Sequence, residues 1–308
     1  MSRIILIATE KPFAPAAREA VKKTLVEKGY EVKILESYTD PADLLKAVAD
    51  TEALIVRSDE VTPQVLEAGK NLKIVVRAGA GYDNVDCAAA KAKKIVVMNT
   101  PGQNANAVAE LAVGMMLMMA RGKFSGKSGT EISGKSLGLF GFGNVARRTA
   151  EIARQGFGMK ILAFDPFVPA AKMKEAGAEP VSLETLFEKA DYVSLHVPLL
   201  PQTERSVNYG LLKRMKKGAA LINTARGEVV DESDLLKIYA ERPDLKYASD
   251  ITPGNQKELV ACDGNRCFFT PKKMGAQTAE ANFNAGVAAA QQIIAFFEKG
   301  DVTYQVNK

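Results

Sequence analysis

Ser136-Leu137-Gly138-Leu139-Phe140-Gly141-Phe142-Gly143-Asn144-Val145-Ala146 opens the stretch that decides the fold. An apolar strand runs into a glycine turn, a helix follows to about Gln155, and a second strand leads to Asp165. Gly141 permits the sharp turn, Gly143 lets the backbone approach a pyrophosphate, and the small Ala146 keeps helix and strand close. The first helical amides, at Asn144 and Val145, then face the phosphates. Asp165 stands where a carboxylate accepts bonds from an adenosine ribose. Pro166-Phe167 follow it, not the cation that a 2′-phosphate needs, which favours NAD over NADP. The plainer reading, a tight turn with no cofactor, leaves the acid at the end of the second strand unexplained.

The same alternation extends in both directions. Upstream, Ile4–Ala8, Val32–Leu35, Ala53–Val56, Ile74–Val76 and Ile95–Val97 read as buried strands between helical stretches near 14–28, 41–49, 63–69 and 86–93. A helix over Asn104–Arg121 follows Thr100-Pro101-Gly102, and its Met115, Met116, Met118 and Met119 read as core filling. Gly122–Gly134 reads as an exposed polar loop. Downstream of the glycine turn, Ile161–Phe164, Tyr192–Leu195, Ala219–Ile222 and Tyr247–Ser249 read as further strands, and Thr278–Phe297 as a long final helix. The fold class is therefore α/β, with two doubly wound parallel sheets. If the last helix packs on the first series, the second is an insertion.

Composition bounds the function. The 308 residues suggest about two domains. The balance of 41 Lys+Arg against 36 Asp+Glu is only mildly basic and has no cationic tract, which fits small anionic ligands and not nucleic acid. The longest apolar run, Leu111–Ala120, is too short to span a bilayer, and no signal-peptide pattern opens the chain, so the expected location is the cytoplasm, with no membrane partner. One histidine, His196, excludes multi-histidine metal sites, and no metal is expected. Cys87, Cys262 and Cys267 read as free or buried thiols.

Three cationic loops follow strands. Arg57-Ser58 follows Ala53–Val56, Arg77-Ala78-Gly79-Ala80-Gly81 follows Ile74–Val76, and Asn223-Thr224-Ala225-Arg226-Gly227 follows Ala219–Ile222. Carboxyl strand ends are where open α/β sheets bind ligands, and guanidinium groups pair with phosphate and carboxylate. A single such arginine is more often a solvated charge, and Arg226 alone could be a structural ion pair; two arginines beside a glycine turn favour a binding role. Arg226 facing a nicotinamide could hold a 2-oxo acid's carboxylate and polarise its carbonyl.

On these motifs, with Tyr82-Asp83-Asn84-Val85-Asp86, Asn99-Thr100-Pro101 and His196-Val197-Pro198-Leu199, the chain resembles the D-isomer-specific 2-hydroxyacid dehydrogenases over essentially its whole length, and within them the branch that oxidises 3-phosphoglycerate. The resemblance implies a flavodoxin-like substrate domain from residues 1–99 and 283–308, and an inserted Rossmann NAD-binding domain over 100–282. It implies a homodimer through the latter. It casts Arg226 as the catalytic arginine and Asp250 as the carboxylate for the nicotinamide amide. Arg57, Ser58 and Arg77 match the substrate-phosphate side, and Gly79, Ala80 and Asn104 the loops around carboxylate and cofactor. His196, Val197, Thr224 and Ala225 fall on the cofactor side, so His196 matches a supporting histidine and not the catalytic one.

Two positions depart from the family pattern. Asn255 stands where the family has Glu, and Thr270-Pro271-Lys272-Lys273-Met274-Gly275-Ala276 stands where it has its catalytic His. Counting from Thr-Pro aligns Lys272 with that His; counting back from Gly-Ala aligns Lys273, the preferred register. An amine, with an ordinary pKa of about 10.4, serves as a base near neutrality only when burial or nearby cations depress it. The expected reaction is NAD-dependent oxidation of 3-phosphoglycerate, with no room for an appended regulatory domain. The alternatives are a hydroxypyruvate or glyoxylate reductase, and a non-catalytic NAD-binding regulator.

Overall fold

The computed structural model describes residues 3–308. The first series is β1 (Ile4–Thr9), α1 (Pro15–Val26), β2 (Glu31–Glu36), α2 (Pro41–Val48), β3 (Ala53–Val56), α3 (Pro63–Ala68), β4 (Ile74–Arg77), α4 (Cys87–Ala92) and β5 (Val96–Asn99). After α5 (Ala105–Ala120) come β6 (Ser136–Phe140), α6 (Asn144–Phe157), β7 (Lys160–Phe164), α7 (Ala170–Glu175), β8 (Glu179–Pro180), α8 (Leu183–Lys189) and β9 (Tyr192–Leu195). The chain continues through α9 (Tyr209–Arg214), β10 (Ala220–Asn223), α10 (Glu232–Glu241), β11 (Lys246–Ser249), α11 (Gln256–Asp263), β12 (Cys267–Phe269) and α12 (Ala279–Lys299).

Two compact units result, one from the segment up to Asn104 together with Gln277–Lys308, the other from Ala105–Ala276. The crossings fall after Asn104 and Ala276 and not after residues 99 and 282. Thr278 caps α12 by accepting the Ala281 amide at 3.1 Å, so the whole helix lies in the first unit.

In the first unit the strands run parallel in the order β2-β1-β3-β4-β5. Alternation sorts their side chains onto two faces. Ile5 and Ile7 pack with Val21 and Leu25 of α1 and Ile293 of α12, while Leu6 and Ala8 pack with Leu44 and Leu66 on the opposite side. The C-terminal tail covers the β5 edge: Asn307 Oδ1 accepts the Val97 amide at 2.9 Å and its Nδ2 donates to Ile95 O at 2.8 Å.

The second unit has seven parallel strands in the order β12-β11-β10-β9-β6-β7-β8, two more than the sequence pattern predicts. β8 and β12 span only 2 and 3 residues, too few to show a period. Met115, Met116 and Met119 of α5 are buried against Leu137 and Leu139, with Met118 packed on their flank, as expected of core filling. Apart from the buried Ile132, residues 122–134 are exposed. The strand order reverses beside β1 in one sheet and beside β6 in the other, and such switch points open a crevice at the carboxyl edge. The loop after β3 carries Arg57, and those after β6 and β9 carry Gly141 and His196. Among the described residues no helix is long and apolar enough to cross a membrane.

Candidate active site

The glycine turn takes the shape its residues require. Gly141 has φ +88°, and a Cβ on it would meet the His196 carbonyl oxygen at 2.8 Å. Gly143 precedes α6 with no side-chain cap, and a Cβ there would meet nothing within 4 Å. The first amides of a 14-residue helix, at Asn144 and Val145, therefore open onto free space, as an anion site needs. Asp165 has a further task that spacing alone does not reveal. Its Oδ2 accepts the Phe142 amide at 2.8 Å and its Oδ1 the Phe167 amide at 2.9 Å, bracing the turn while keeping lone pairs for a ribose.

Along the carboxyl edge of β9, β10 and β11 lie His196, Thr224, Arg226 and Asp250. His196 Nε2, Thr224 Oγ1 and Asp250 Oδ1 are buried and have no hydrogen-bond partner. Burial pulls the His196 pKa down to about 3, so the imidazole is neutral near pH 7. Its neighbour Val197 is buried. Asn223, buried at the end of β10, shapes the arginine loop: its Oδ1 accepts the Ala225 amide and its Nδ2 donates to Arg226 O, both at 2.9 Å. The Ala225 carbonyl then accepts from Arg226 Nη1 at 3.0 Å and from Lys273 Nζ at 3.1 Å. One oxygen thus draws a guanidinium and an ammonium together.

Lys272 does not share this arrangement. It is exposed, as Lys273 is, but its carbonyl accepts the Thr270 hydroxyl at 2.8 Å and its amine makes no bond to the Ala225 oxygen. Asp250 is fully buried, and its Oδ2 accepts the Gly275 amide at 2.9 Å. Burial raises its pKa, against the Gly275 and Met274 amides and the charges of Lys273 and Arg226, which lower it. Asn255 turns to α10, where its Nδ2 donates to Glu232 O at 2.6 Å.

In the other unit the basic loops bind themselves. Arg57 Nη1 donates to the Lys11 and Pro12 carbonyls at 3.0 and 2.9 Å, its Nη2 donates to Asn282 Oδ1, and its Cζ lies 5.2 Å from the Phe13 ring centre. Burial lowers its pKa. Arg77 Nε donates to Arg57 O at 2.9 Å. Gly79, at φ +152°, makes room for this side chain, since a Cβ there would lie 1.5 Å from Arg77 Nη1. The Ala80 carbonyl accepts Asn99 Nδ2 at 2.6 Å, Ser58 is exposed, and Asn104 Oδ1 is buried without a partner. Asp59 and Asn282 are absent from the residues predicted for the site. Asp59, 2% exposed, accepts the Arg57 amide at 3.0 Å, the Glu10 amide at 2.5 Å and the Tyr38 hydroxyl at 2.7 Å. An Asp two residues past a strand-end arginine is a recognisable turn signal; Asn282, 225 positions from Arg57 in the chain, offers none.

Comparison with known proteins agrees with this geometry. Residues 104–271 match the NAD binding domain of the D-isomer specific 2-hydroxyacid dehydrogenases. A hydroxypyruvate reductase of Thermotoga maritima is 39% identical over 299 residues, 91% of this chain and 95% of that protein. The D-3-phosphoglycerate dehydrogenase of Homo sapiens is 34% identical over 301 residues, 93% of this chain and 56% of that protein. The chain thus spans about half the length of the curated D-3-phosphoglycerate dehydrogenases it matches. Among solved structures, the NAD⁺-bound 3-phosphoglycerate dehydrogenase of Entamoeba histolytica is 44% identical, with a TM-score of 0.92, covering 100% of this chain and 99% of that one. The free helix amides after Gly143 and the unpartnered Thr224, His196 and Asp250 atoms fit a dinucleotide with a carboxamide end. By sequence, by fold and by these waiting polar atoms, the chain belongs to the D-isomer specific 2-hydroxyacid dehydrogenases and is an NAD-dependent enzyme of that family.

Proposed function

We propose that the enzyme oxidises 3-phosphoglycerate to 3-phosphohydroxypyruvate, with Arg226 and Lys273 at the reacting carbon. The observation that carries this reading is the Ala225 carbonyl, which holds both cationic heads within hydrogen-bond distance of one oxygen. NAD, when bound, would supply the acceptor for the hydride from substrate C2. The chain's residues do the rest. Arg226 orients the carboxylate and stabilises negative charge building on the C2 oxygen. Lys273, as the amine, takes the C2 hydroxyl proton, and as the ammonium returns it in the reverse direction. Asn144, Val145 and Asp165 would hold the dinucleotide's phosphates and ribose, and Thr224, His196 and Asp250 its nicotinamide end. Arg57 and Arg77 would pair with the phosphate. A homodimer through the inserted unit belongs to the same reading and is checked by sedimentation.

The test compares Lys273→Met with Lys272→Met in an assay of NADH formation from 3-phosphoglycerate. The expected loss of kcat is about a hundredfold or more for Lys273→Met, within the usual range for removing a proton-transfer group, and at most about threefold for Lys272→Met. Equal activity in both variants would overturn the assignment. One observation favours a second reading, reduction of unphosphorylated hydroxypyruvate. The Arg57 guanidinium is already bonded to Lys11, Pro12 and Asn282, and the 39%-identical relative carries the name of that activity. Turnover of glycerate equal to that of 3-phosphoglycerate would support it.

A further inference from the structure

Asp250 sits fully buried just past the end of β11, and its two oxygens have different fates. Oδ2 accepts the Gly275 amide at 2.9 Å, whereas Oδ1 has no partner. That bond pins the segment just after Lys273, because breaking it strands a buried acceptor. Gly275 is part of the device. A Cβ on it would lie 2.9 Å from Asp250 Oδ2 and 3.3 Å from Val108 Cγ2, so only glycine lets the backbone come this close. With Gly275 fixed, the chain just before it is delivered to the Ala225 carbonyl, where Lys273 Nζ bonds at 3.1 Å. Lys272, exposed like Lys273, makes no bond to that oxygen.

We infer, on the reading of Lys273 as the proton carrier, that Asp250 is a positioning residue: its carboxylate clamps the Gly275 amide and so selects which of two adjacent lysines stands beside Arg226. The side chain thereby serves the lysine through Oδ2 and keeps Oδ1 for another donor. A group devoted only to a ligand would have no need to hold the lysine segment.

The experiment follows amide hydrogen exchange over residues 272–276 in the cofactor-free protein, for the wild type, Asp250→Ala and Asp250→Asn. Removing the acceptor in Asp250→Ala is expected to speed exchange at Gly275 by about tenfold or more. Asp250→Asn keeps an oxygen that can accept this amide, and protection should stay near the wild-type level. At saturating NAD, kcat should fall about a hundredfold in Asp250→Ala and its dependence on pH should change, with Asp250→Asn restoring most of both. Unchanged exchange in a folded Asp250→Ala protein would overturn the inference. So would protected amides in Asp250→Asn with kcat as low as in Asp250→Ala. If Asp250→Ala does not fold, Gly275→Ala opens the same contact from the other side, and faster exchange at residue 275 is the expected result; unchanged exchange there counts against the clamp. Retained turnover in Lys273→Met would remove the proton-carrier reading, while the exchange measurement still decides whether Asp250 holds the segment.

Discussion

The loops after β3 and β4 and those after β9, β10 and β11 occupy equivalent edges of two parallel sheets, yet they spend their polar groups differently. In the first set, Arg57 is bonded to Lys11, Pro12 and Asn282, Arg77 lies against Gly79, and Asp59 has three donors. In the second set, four buried polar atoms, on His196, Thr224, Asp250 and Asn255, have no hydrogen-bond partner. Leaving a buried group unpaired costs roughly 1–3 kcal/mol. On the proposed function, the second edge would meet the cofactor with polar atoms not yet used, whereas the basic edge would have to trade protein carbonyls for substrate oxygens.

Breaking the stronger side of the comparison should have the largest effect. Arg226→Met is expected to lower kcat/KM by about a thousandfold or more, equivalent to ~4 kcal/mol of transition-state stabilisation. Steady-state kinetics would check it, and a loss under tenfold would remove Arg226 from the reacting centre. On the weaker side, Arg57→Met should raise KM for 3-phosphoglycerate about 10- to 100-fold with little change in kcat, and leave KM for glycerate alone. Equal shifts for both acids would mean that Arg57 only braces its loop. The last test concerns stability. The His196 pKa falls from 6.5 to about 3 on folding, so between those values the unfolded chain binds the proton that the native imidazole refuses. Stability should therefore fall as pH drops from 6.5 towards 3, by up to about 1.4 kcal/mol per pH unit from this group. Urea titrations of His196→Asn across that range should show a shallower slope; an identical slope would mean that the imidazole is protonated in the native state.

Much of this molecule could be read before its structure. The period of apolar residues marked five strands of the first sheet and five of the second, because parallel strands of 4 to 6 residues leave a legible apolar run; β2, expected to be buried, is instead an edge strand with no buried residue. The period passed over β8 and β12, edge strands too short to carry a pattern. Site residues in local motifs were equally plain: Gly141, Asp165, Arg57 and Arg226 all follow strands. The partners that hold them were not. Asn282 reaches Arg57 from α12, and Asn255, at the position where the family has Glu, turns away to Glu232.

The two adjacent lysines mark the boundary between the two kinds of information. The sequence by itself determined an α/β chain with a glycine turn between strand and helix, cations at strand ends, and two adjacent lysines after Thr270-Pro271, because these depend on local spacing. Tertiary structure alone decided that Lys273 and not Lys272 meets the Ala225 carbonyl. On the inference drawn above, that choice rests on a carboxylate at 250 meeting the amide at 275, groups that only folding makes neighbours.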